Sequence, residues 1–413
     1  MLERFIEKKH TIDRLRSSPF AEHLDGFAAA MFAAGYSRSS ATRYVNAAAH
    51  LGHWCRDRHL PVAQIDDRTV RRFVEHIGRR CRCPDSTRDR VRETRSGARR
   101  FLEYLRERGL VSVAVTTELP GIVSEFCEWM RACRGVAEST LATYVPLVTE
   151  FLRREGRPPE PYNAAAVRAF ILRRSRGCGT DRARTAVTAL RMFLTFLSAS
   201  GRCSPALIGA VPTLASWRLA KLPRHISAAE VEKVVAVFDA TTVKGARDRA
   251  MLLLMARLGL RVGEVATLRL ADFDWDRGRL HVTGKGRVES WLPLPQQVGD
   301  AVLRYIVGKR PPNADDHVFV RVRPPRRLLD PRSISFACST AMRAAGIDSR
   351  FHGAHVLRHS LATDLLSKGA SLAQIGVVLR HRSTATTEIY AKVDLTTLQR
   401  VAQPWPSMDV SPC

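Results

Sequence analysis

A long apolar segment in the last third of the chain limits the folds that this sequence can adopt. The residues from Arg247 to Leu258 include the run Met251-Leu252-Leu253-Leu254-Met255, which would put apolar side chains on every face of a helix. Such a helix is stable only when neighbouring elements cover all of its sides. Gly259 follows as the predicted C-cap, so Arg261 would lie at the turn that opens the next short helix. The segment therefore predicts a buried helix within a packed domain.

Two strand-like segments follow this helix, at residues 279–283 and 288–292. Gly284-Lys285-Gly286-Arg287 lies between them, which predicts a β-hairpin with Lys285 at its tip. Most of the remaining sequence has the amphipathic spacing of helices. We therefore expect a mainly α fold with a small antiparallel β-sheet.

Six residues of the last third combine into a pattern that indicates chemistry on a phosphate group. A tyrosine hydroxyl that attacks a phosphodiester builds negative charge on the non-bridging oxygens, and fixed cations must stabilise that charge. Arginine suits this task because its planar guanidinium can donate two parallel hydrogen bonds to a phosphate. A phenol has an unperturbed pKa of about 10, so nearby cations or a base must help it to ionise. The candidates are Arg261, Lys285, His355, Arg358, His381 and Tyr390.

The motifs that carry these residues resemble those of the tyrosine recombinases, the phage-integrase and Xer group. The resemblance implies an enzyme that cleaves and rejoins DNA strands through a covalent 3′-phosphotyrosine, without a metal ion, ATP or another cofactor. It also implies a helical core-binding domain that precedes a mixed α/β catalytic domain. The motifs are Gly259-Leu260-Arg261-Val262-Gly263-Glu264, Gly284-Lys285-Gly286, His355-Val356-Leu357-Arg358-His359, and Leu379-Arg380-His381 followed nine positions later by Tyr390.

The resemblance, combined with the chemistry, assigns a role to each residue. Arg261 and Arg358 would clamp the scissile phosphate. His355 would act as a base for Tyr390 or as a further phosphate donor. The departing 5′-hydroxyl would take its proton from Lys285, because a lysine among other cations has a lowered pKa. His381 would donate a hydrogen bond to the same phosphate.

The sequence departs from the family pattern at Arg380, where the family usually has glycine. If that glycine is needed for a positive φ or for close backbone approach, arginine would shift His381. The arginine could equally add a phosphate contact. A relaxing topoisomerase of the type IB class and a non-catalytic DNA-binding regulator remain alternatives. The presence of all six candidate residues favours the recombinase.

The charge of the chain agrees with double-stranded DNA as a partner. Lys plus Arg number 66 against 40 for Asp plus Glu, which gives a formal net charge of +26. Such an excess predicts sequence-independent attraction to phosphate backbones and a steep dependence on salt. An arginine-rich proteome would produce the same excess, so the net charge alone does not establish DNA as the partner.

Nine cysteines without a disulfide framework predict reduced thiols in a cytoplasmic protein. The family resemblance implies a bacterial protein that is associated with the nucleoid. Cys81-Arg82-Cys83 lies near His53, Cys55 and His59 in the sequence, but the absence of a Cys-x-x-Cys pair argues against a metal site. The N-terminus has no long apolar stretch, so neither a signal peptide nor a membrane span is expected.

Composition and helix signals divide the chain into three domains and a tail. Residues 120–217 read as several amphipathic helices, which matches the core-binding domain that the resemblance implies. Residues 222–403 would form the catalytic domain and residues 404–413 a tail. Ser227 is predicted to cap the first catalytic helix. Residues 1–115 read as an additional helical domain, so that SAM-like DNA-binding domains would precede the catalytic domain.

Residues 1–115 show signs of being a duplicate of the core-binding domain. Three segments of residues 1–115 recur in the same order in the core-binding domain. The number of residues between the two copies of a segment decreases along the chain, as expected if loops differ in length. Chance similarity between amphipathic helices is the alternative, and the shared aromatic positions favour duplication. The first copy would read DNA flanking the core site or contact a partner recombinase. The pairs are residues 39–45 with 139–145, 70–74 with 167–171, and 99–105 with 191–197.

The segment after Tyr390 is expected to be mostly helical up to residue 403. Leu395, Leu398 and Val401 would form a short apolar stripe, which either packs on its own domain or docks on a neighbouring protomer. The second option follows from the family resemblance, which implies a homo-tetramer on paired sites, with other recombinases as further partners.

Overall fold

The fold is described from a computed structural model of the 413-residue chain. The description covers residues 2–78, 81, 83, 91–111, 121–155, 162–214, 222–284, 288–311, 316–347, 353–381 and 383–393.

Ten α-helices precede residue 215 in the described part of the chain, with short 3₁₀ turns at Leu2–Arg4 and Val62–Gln64. They are α1 (Lys9–Arg16), α2 (Ala21–Ala33), α3 (Arg38–Arg56), α4 (Asp67–Ile77), α5 (Val91–Glu107), α6 (Gly121–Arg134), α7 (Glu138–Glu155), α8 (Ala164–Ser175), α9 (Thr180–Ala199) and α10 (Ala206–Gly209).

The remaining described chain contains seven α-helices, three strands and three 3₁₀ turns, the last at Leu270–Asp272, Thr384–Thr386 and Glu388–Val393. In chain order the elements are α11 (Ala228–Ala236), α12 (Val243–Leu258), α13 (Val262–Thr267), β1 (Phe273–Asp274), β2 (Arg279–Thr283), β3 (Glu289–Pro293), α14 (Gln296–Gly308), α15 (Pro331–Ala344), α16 (Ala354–Ser367) and α17 (Leu372–Val378). The expectation of a mainly α fold with a small antiparallel sheet is confirmed.

The chain divides into two compact units. The first unit groups the described residues within 1–17, 21–45 and 218–413, and the second groups those within 18–20 and 46–217. The first unit contains all the candidate site residues that the structure describes.

The predicted buried helix is α12, and it forms the centre of the first unit. Residues 251–255 are fully buried, and the helix packs within one apolar cluster that includes residues of α11, α14, α15 and α16. Gly259 ends the helix in the left-handed conformation, with φ +59° and ψ +28°. A Cβ atom at this position would lie 2.8 Å from Cδ2 of Leu379, so both the backbone angle and the space require glycine.

The sheet is a three-stranded antiparallel meander in the order β1-β2-β3. Leu280 of β2 pairs with Leu292 of β3, and Thr283 pairs with Glu289. The second strand of the predicted hairpin therefore begins one residue later than expected, and β1 was not predicted because it has only two residues. Gly284 N–H donates to the carbonyl of Val288 at 2.7 Å, which closes the turn of the hairpin.

Helices α2–α5 and α6–α9 repeat a series of local features in the same order. A glycine with positive φ follows the first helix of each series, at Gly35 and Gly135, and another follows the fourth helix, at Gly109 and Gly201. The third helices are capped alike, because a side chain accepts a hydrogen bond from the backbone three residues later. Asp66 accepts from Thr69 N–H at 2.7 Å, and Asn163 accepts from Ala166 N–H at 2.8 Å.

Ser227 caps α11 as predicted, in a capping box with Glu230. The predicted apolar stripe at Leu395, Leu398 and Val401 lies outside the described residues. Within the described residues, no helix combines the length and the apolar character needed to cross a membrane.

Candidate active site

Arg261 occupies the turn between α12 and α13, as the sequence predicts. Its backbone N–H donates to Oε2 of Glu264 at 2.9 Å, and its Nη1 donates to Oε1 of the same carboxylate at 2.7 Å. The Arg261 side chain is about one third exposed, whereas that of Glu264 is buried. Glu264 therefore fixes the position of a guanidinium that stays accessible to an incoming anion.

Arg358 lies on α16, which begins at Ala354, so His355 and Arg358 both lie near its start as predicted. The guanidinium is buried and donates hydrogen bonds to the carbonyl oxygens of Gly259 and Leu379. Burial, together with the charges of Arg261 and Arg380, lowers the pKa of Arg358 to about 10, so the group remains a cation at neutral pH. The two carbonyl groups fix the plane of this guanidinium.

Arg380 is a left-handed residue, with φ +53°. This angle explains why glycine is usual at the position, since a side chain in this region strains the backbone. The side chain points into the protein rather than into solvent. Its Nη2 lies 2.8 Å from Oε2 of Glu264, and both side chains are buried. Arg380 therefore forms an ion pair inside the site, and Glu264 holds Arg261 and Arg380 with one carboxylate.

Glu264 is ionised in this environment. Burial raises the pKa of its carboxyl, but the Arg261 N–H bond and the charges of Arg380 and Arg261 outweigh burial, so the pKa lies below its usual value. One anion between two cations leaves the pocket with excess positive charge, because Arg358 adds a third guanidinium.

Tyr390 lies in the 3₁₀ turn Glu388–Val393 and is 1% exposed. Its hydroxyl is 2.9 Å from Nδ1 of His359, and its ring packs with Ala362, Ile375 and Leu379. Burial raises the pKa of Tyr390 to about 12, although Arg358 and Arg261 act in the opposite direction. In this conformation the tyrosine is a neutral phenol with a histidine as its hydrogen-bond partner.

The histidines of the site are neutral at pH 7. Burial lowers the pKa of His381 to about 4 in combination with the charges of Arg358, Arg261, His359 and Arg380. Burial also lowers the pKa of His359 to about 4, with contributions from His355, Arg358 and His225. The pKa of His355 is lowered by partial burial of its ring and by Arg358 and Arg261. A neutral imidazole retains a lone pair, so each ring can accept a proton or a hydrogen bond.

His381 is oriented by a second side chain. Its Nδ1 lies 2.8 Å from Oγ1 of Thr387, which leaves Nε2 as the ring atom available to a phosphate oxygen. The backbone N–H of His381 donates to the carbonyl of Gly376 at 2.9 Å. His381 is therefore held at its backbone by Gly376 and at its ring by Thr387.

Lys285, the predicted residue at the hairpin tip, lies outside the described residues. The residue before it is described: a Cβ atom built on Gly284 would lie 3.6 Å from Oε1 of Glu264. The hairpin turn therefore begins beside the carboxylate that holds Arg261.

The structure thus assembles Arg261, His355, Arg358, His381 and Tyr390 in one unit, and it adds three residues to which the sequence argument gave no role. Glu264 and His359 lie inside the quoted motifs, but nothing in their spacing indicates that one pairs with Arg380 and the other contacts Tyr390. Thr387 precedes Tyr390 by three positions, and a contact with His381 cannot be recognised from that spacing. These contacts join motifs that are distant in the sequence.

Comparison with known proteins gives three consistent results. Residues 224–396 match the model of the phage integrase family. The integrase/recombinase y4rA of Sinorhizobium fredii is 35% identical over 417 residues, which cover 97% of this chain and 98% of that protein. The tyrosine recombinase XerD of Lacticaseibacillus casei is 31% identical over 280 residues, or 65% of this chain and 93% of that protein.

Among solved structures, the XerH site-specific recombinase bound to a palindromic difH substrate superposes with a TM-score of 0.54. The match covers 67% of this chain and 83% of that one, at 19% identity. At this level of identity the similarity concerns the fold.

Proposed function

Because the chain belongs to the phage integrase family of tyrosine recombinases, we propose that it cleaves and rejoins DNA strands at specific sites with Tyr390 as the nucleophile. The reaction proceeds through a covalent 3′-phosphotyrosine and needs neither a metal ion nor ATP. The observation that carries the proposal is the position of the Tyr390 hydroxyl. It lies 2.9 Å from Nδ1 of His359, and the positive charges of Arg358 and Arg261 act to lower its pKa.

The scissile phosphate would bind where the positive charge is concentrated. Arg261 is the accessible guanidinium, and Arg358 is held rigidly by two carbonyl groups. Fixed donors stabilise the transition state well because they do not have to reorganise as charge develops. His381, oriented by Thr387, donates a third hydrogen bond to the phosphate through Nε2.

Cleavage forms one bond and breaks another. The Tyr390 oxygen attacks phosphorus and loses its proton, while the bond from phosphorus to the 5′-oxygen breaks. That oxygen takes a proton from Lys285. Rejoining reverses these events with the 5′-hydroxyl of a second strand, and Tyr390 recovers its proton. The phosphotyrosine conserves the energy of the phosphodiester, so no external energy source is required.

The buried, neutral tyrosine must lose its proton during attack. His359 contacts the hydroxyl directly, and its unprotonated Nδ1 can accept the hydrogen bond and hold the oxygen in place. His355, on the same helix, is partly exposed and serves as the proton acceptor or as a phosphate donor. The phosphate itself neutralises part of the positive charge when DNA binds.

The remaining chain would bind DNA around the cleaved core. We place a core-binding domain at residues 120–217, a catalytic domain at 222–403 and a tail at 404–413. The repeated caps and glycines of α2–α5 and α6–α9 support the interpretation of residues 1–115 as a second copy of the core-binding module. The additional module would bind DNA that flanks the core. The active assembly would be a homo-tetramer on paired sites. The reaction would integrate, excise or transpose a mobile element.

The decisive experiment traps the covalent intermediate. The protein is incubated, without Mg²⁺ or ATP, with nicked suicide duplexes taken from the ends and flanks of its own genetic locus. A denaturing gel should then show a DNA–protein adduct, and peptide mapping should place the link at Tyr390.

Tyr390→Phe is the matched control, because it removes one hydroxyl and keeps the ring that packs in the core. The variant should bind the same duplexes without forming an adduct. An adduct that persists in Tyr390→Phe, or specific DNA binding without any adduct in the wild type, would contradict the proposal.

A further inference from the structure

The second unit contains a cluster of two histidines and two cysteines that the proposed reaction does not use. His50 lies on α3, His76 lies near the end of α4, and Cys81 and Cys83 follow α4. Each residue offers one ligand atom, and the four atoms all lie within 4.8 Å of one another. Nε2 of His50 is 3.3 Å from Sγ of Cys81, and Nε2 of His76 is 3.2 Å from Sγ of Cys83.

We propose that His50, His76, Cys81 and Cys83 form a structural zinc site. Zinc in proteins binds four ligands tetrahedrally, at about 2.3 Å for sulfur and about 2.0–2.1 Å for nitrogen. A tetrahedron with these bond lengths has edges of about 3.3–3.8 Å. The two nitrogen–sulfur distances, 3.3 Å and 3.2 Å, lie at and just below the lower end of this range, so small movements of the side chains would admit the ion.

The ligand set selects zinc among common cations. Thiolate and imidazole ligands favour zinc over magnesium and calcium, which prefer oxygen. Two thiolates also balance the charge of one Zn²⁺ ion, so the occupied site would be neutral. Four protein ligands leave no open position, which is typical of a structural site rather than a catalytic one.

The surroundings of the cluster fit a closed site. His50 and Cys81 are each 1% exposed. The ring of Phe73 lies 4.9 Å from that of His50, and the ring of Trp54 lies 6.3 Å from that of His76. Nδ1 of His50 has no hydrogen-bond partner among the described residues. Burial of a polar ring in such a setting costs free energy, and a metal bond at Nε2 would offset part of that cost.

The sequence does not indicate this zinc site, because the spacing of its four ligands matches no common zinc-binding motif. In the sequence, the residues that stand out near Cys81 and Cys83 are His53, Cys55 and His59, and no Cys-x-x-Cys pair is present. The histidines that the fold brings to Cys81 and Cys83 are instead His50 and His76, the first of them 31 residues from Cys81. The cluster argues against the expectation that the chain has no metal site.

A zinc ion here would tie α3, α4 and the segment after α4 together. Because a site of this kind does not exist in the unfolded chain, the free energy of metal binding becomes free energy of folding. The cysteines lie between α4 and α5 in the chain, so the ion would anchor the connection that leads into α5.

The test measures metal content without reference to DNA, so its result is independent of the proposed recombination. The full chain is purified from zinc-supplemented medium in reducing, chelator-free buffer, and its metals are measured by mass spectrometry. We expect about one zinc per chain. Cobalt substitution should give the visible bands of a tetrahedral ion together with thiolate-to-cobalt charge transfer.

Cys83→Ser and Cys81→Ser should lose the zinc, whereas Cys133→Ser should keep it because Cys133 is an exposed thiol on α6. If Cys81→Ser fails to fold, the half-buried Cys83 provides the informative variant. A chelator should lower the melting temperature of the wild type, and zinc but not magnesium should restore it.

Three results would overturn the proposal. The first is a wild-type protein that binds neither zinc nor cobalt. The second is equal zinc content in Cys83→Ser and Cys133→Ser, and the third is a Cys81–Cys83 disulfide in protein purified under reducing conditions.

Discussion

At the scale of single residues, the hydroxyl of Tyr390 is the atom on which the proposed chemistry depends, and His359 contacts it directly. The pair is 2.9 Å apart and largely buried, so the tyrosine would lose its fixed orientation without a partner. Burial makes this loss more costly than it would be in water.

We predict that His359→Leu slows adduct formation by about tenfold or more, since one hydrogen bond of about 1.4 kcal/mol corresponds to that factor. His359→Asn should recover most of the rate, because its side-chain amide can reach the position of Nδ1. Rates on the suicide duplex, measured at saturating protein, test this. Equal rates for the Leu and Asn variants would mean that the contact does not serve the reaction.

Arg380 combines a strained backbone with a buried ion pair, and the two effects can be separated. Arg380→Ala removes the partner of Glu264 but keeps a side chain at φ +53°, whereas Arg380→Gly removes the partner and relieves the strain. Both variants should be less stable than the wild type because each leaves the buried carboxylate with one cation fewer.

We predict that Arg380→Gly is more stable than Arg380→Ala by about 1 kcal/mol, which is the cost of the left-handed conformation for a residue with a Cβ. Urea denaturation of the two variants side by side measures the difference. If alanine proves equally stable, the backbone at this position is not strained.

At the scale of elements, helix α5 presents a stripe of arginines. Arg92, Arg95 and Arg99 are exposed and spaced by three and four residues, so they lie on one face of the helix. Arg100 and Arg106 instead form ion pairs with Glu103 and Asp67. The three exposed arginines are therefore the candidates for contact with a phosphate backbone.

We predict that replacing the three by glutamine weakens DNA binding and reduces the slope of log K against log salt by about 2–3, because each phosphate contact contributes about 0.9. Titrations at several salt concentrations measure the slope. Glutamine at the exposed arginines 304, 332 and 343 gives a control with the same change in net charge. If both triple variants change the slope equally, only net charge matters.

At the scale of the whole molecule, the charges of the site make stability depend on pH. Burial lowers the pKa of His359 and of His381 to about 4 in the folded protein, from about 6.5 in the unfolded chain. Between these values the unfolded chain binds protons that the folded chain does not, so stability falls as the pH is lowered from about 6.5 towards 4.

We predict that the urea midpoint of the unit that contains Tyr390 falls between pH 7 and pH 5, where carboxylates hardly titrate. The groups that face the two rings are Arg358, Arg261, Arg380, His355 and His225. A variant with asparagine at both histidines should show a flatter profile. An unchanged slope in that variant would assign the pH dependence to other groups.

Local signals in the sequence determined the elements that form the site. The run through residues 251–255 with Gly259 after it predicts α12 and its end, and the Ser227 capping box predicts the start of α11. Gly284 and its strand-like neighbours predict the hairpin, and Arg261, His355, Arg358, His381 and Tyr390 are recognisable from the motifs around them. The predictions of α12, of the start of α11 and of the hairpin strands are confirmed because caps, turns and periodicity act over a few residues.

Only the tertiary structure decided which side chains meet. Arg380 lies 116 residues from Glu264, Tyr390 lies 31 residues from His359, and His50 lies 31 residues from Cys81. Arg380 could be recognised in the sequence as a departure, but its positive φ and its carboxylate partner Glu264 are visible only in the folded structure. Such pairs form because helices bury their apolar faces against one another, and that packing places polar groups together without a local sequence signal.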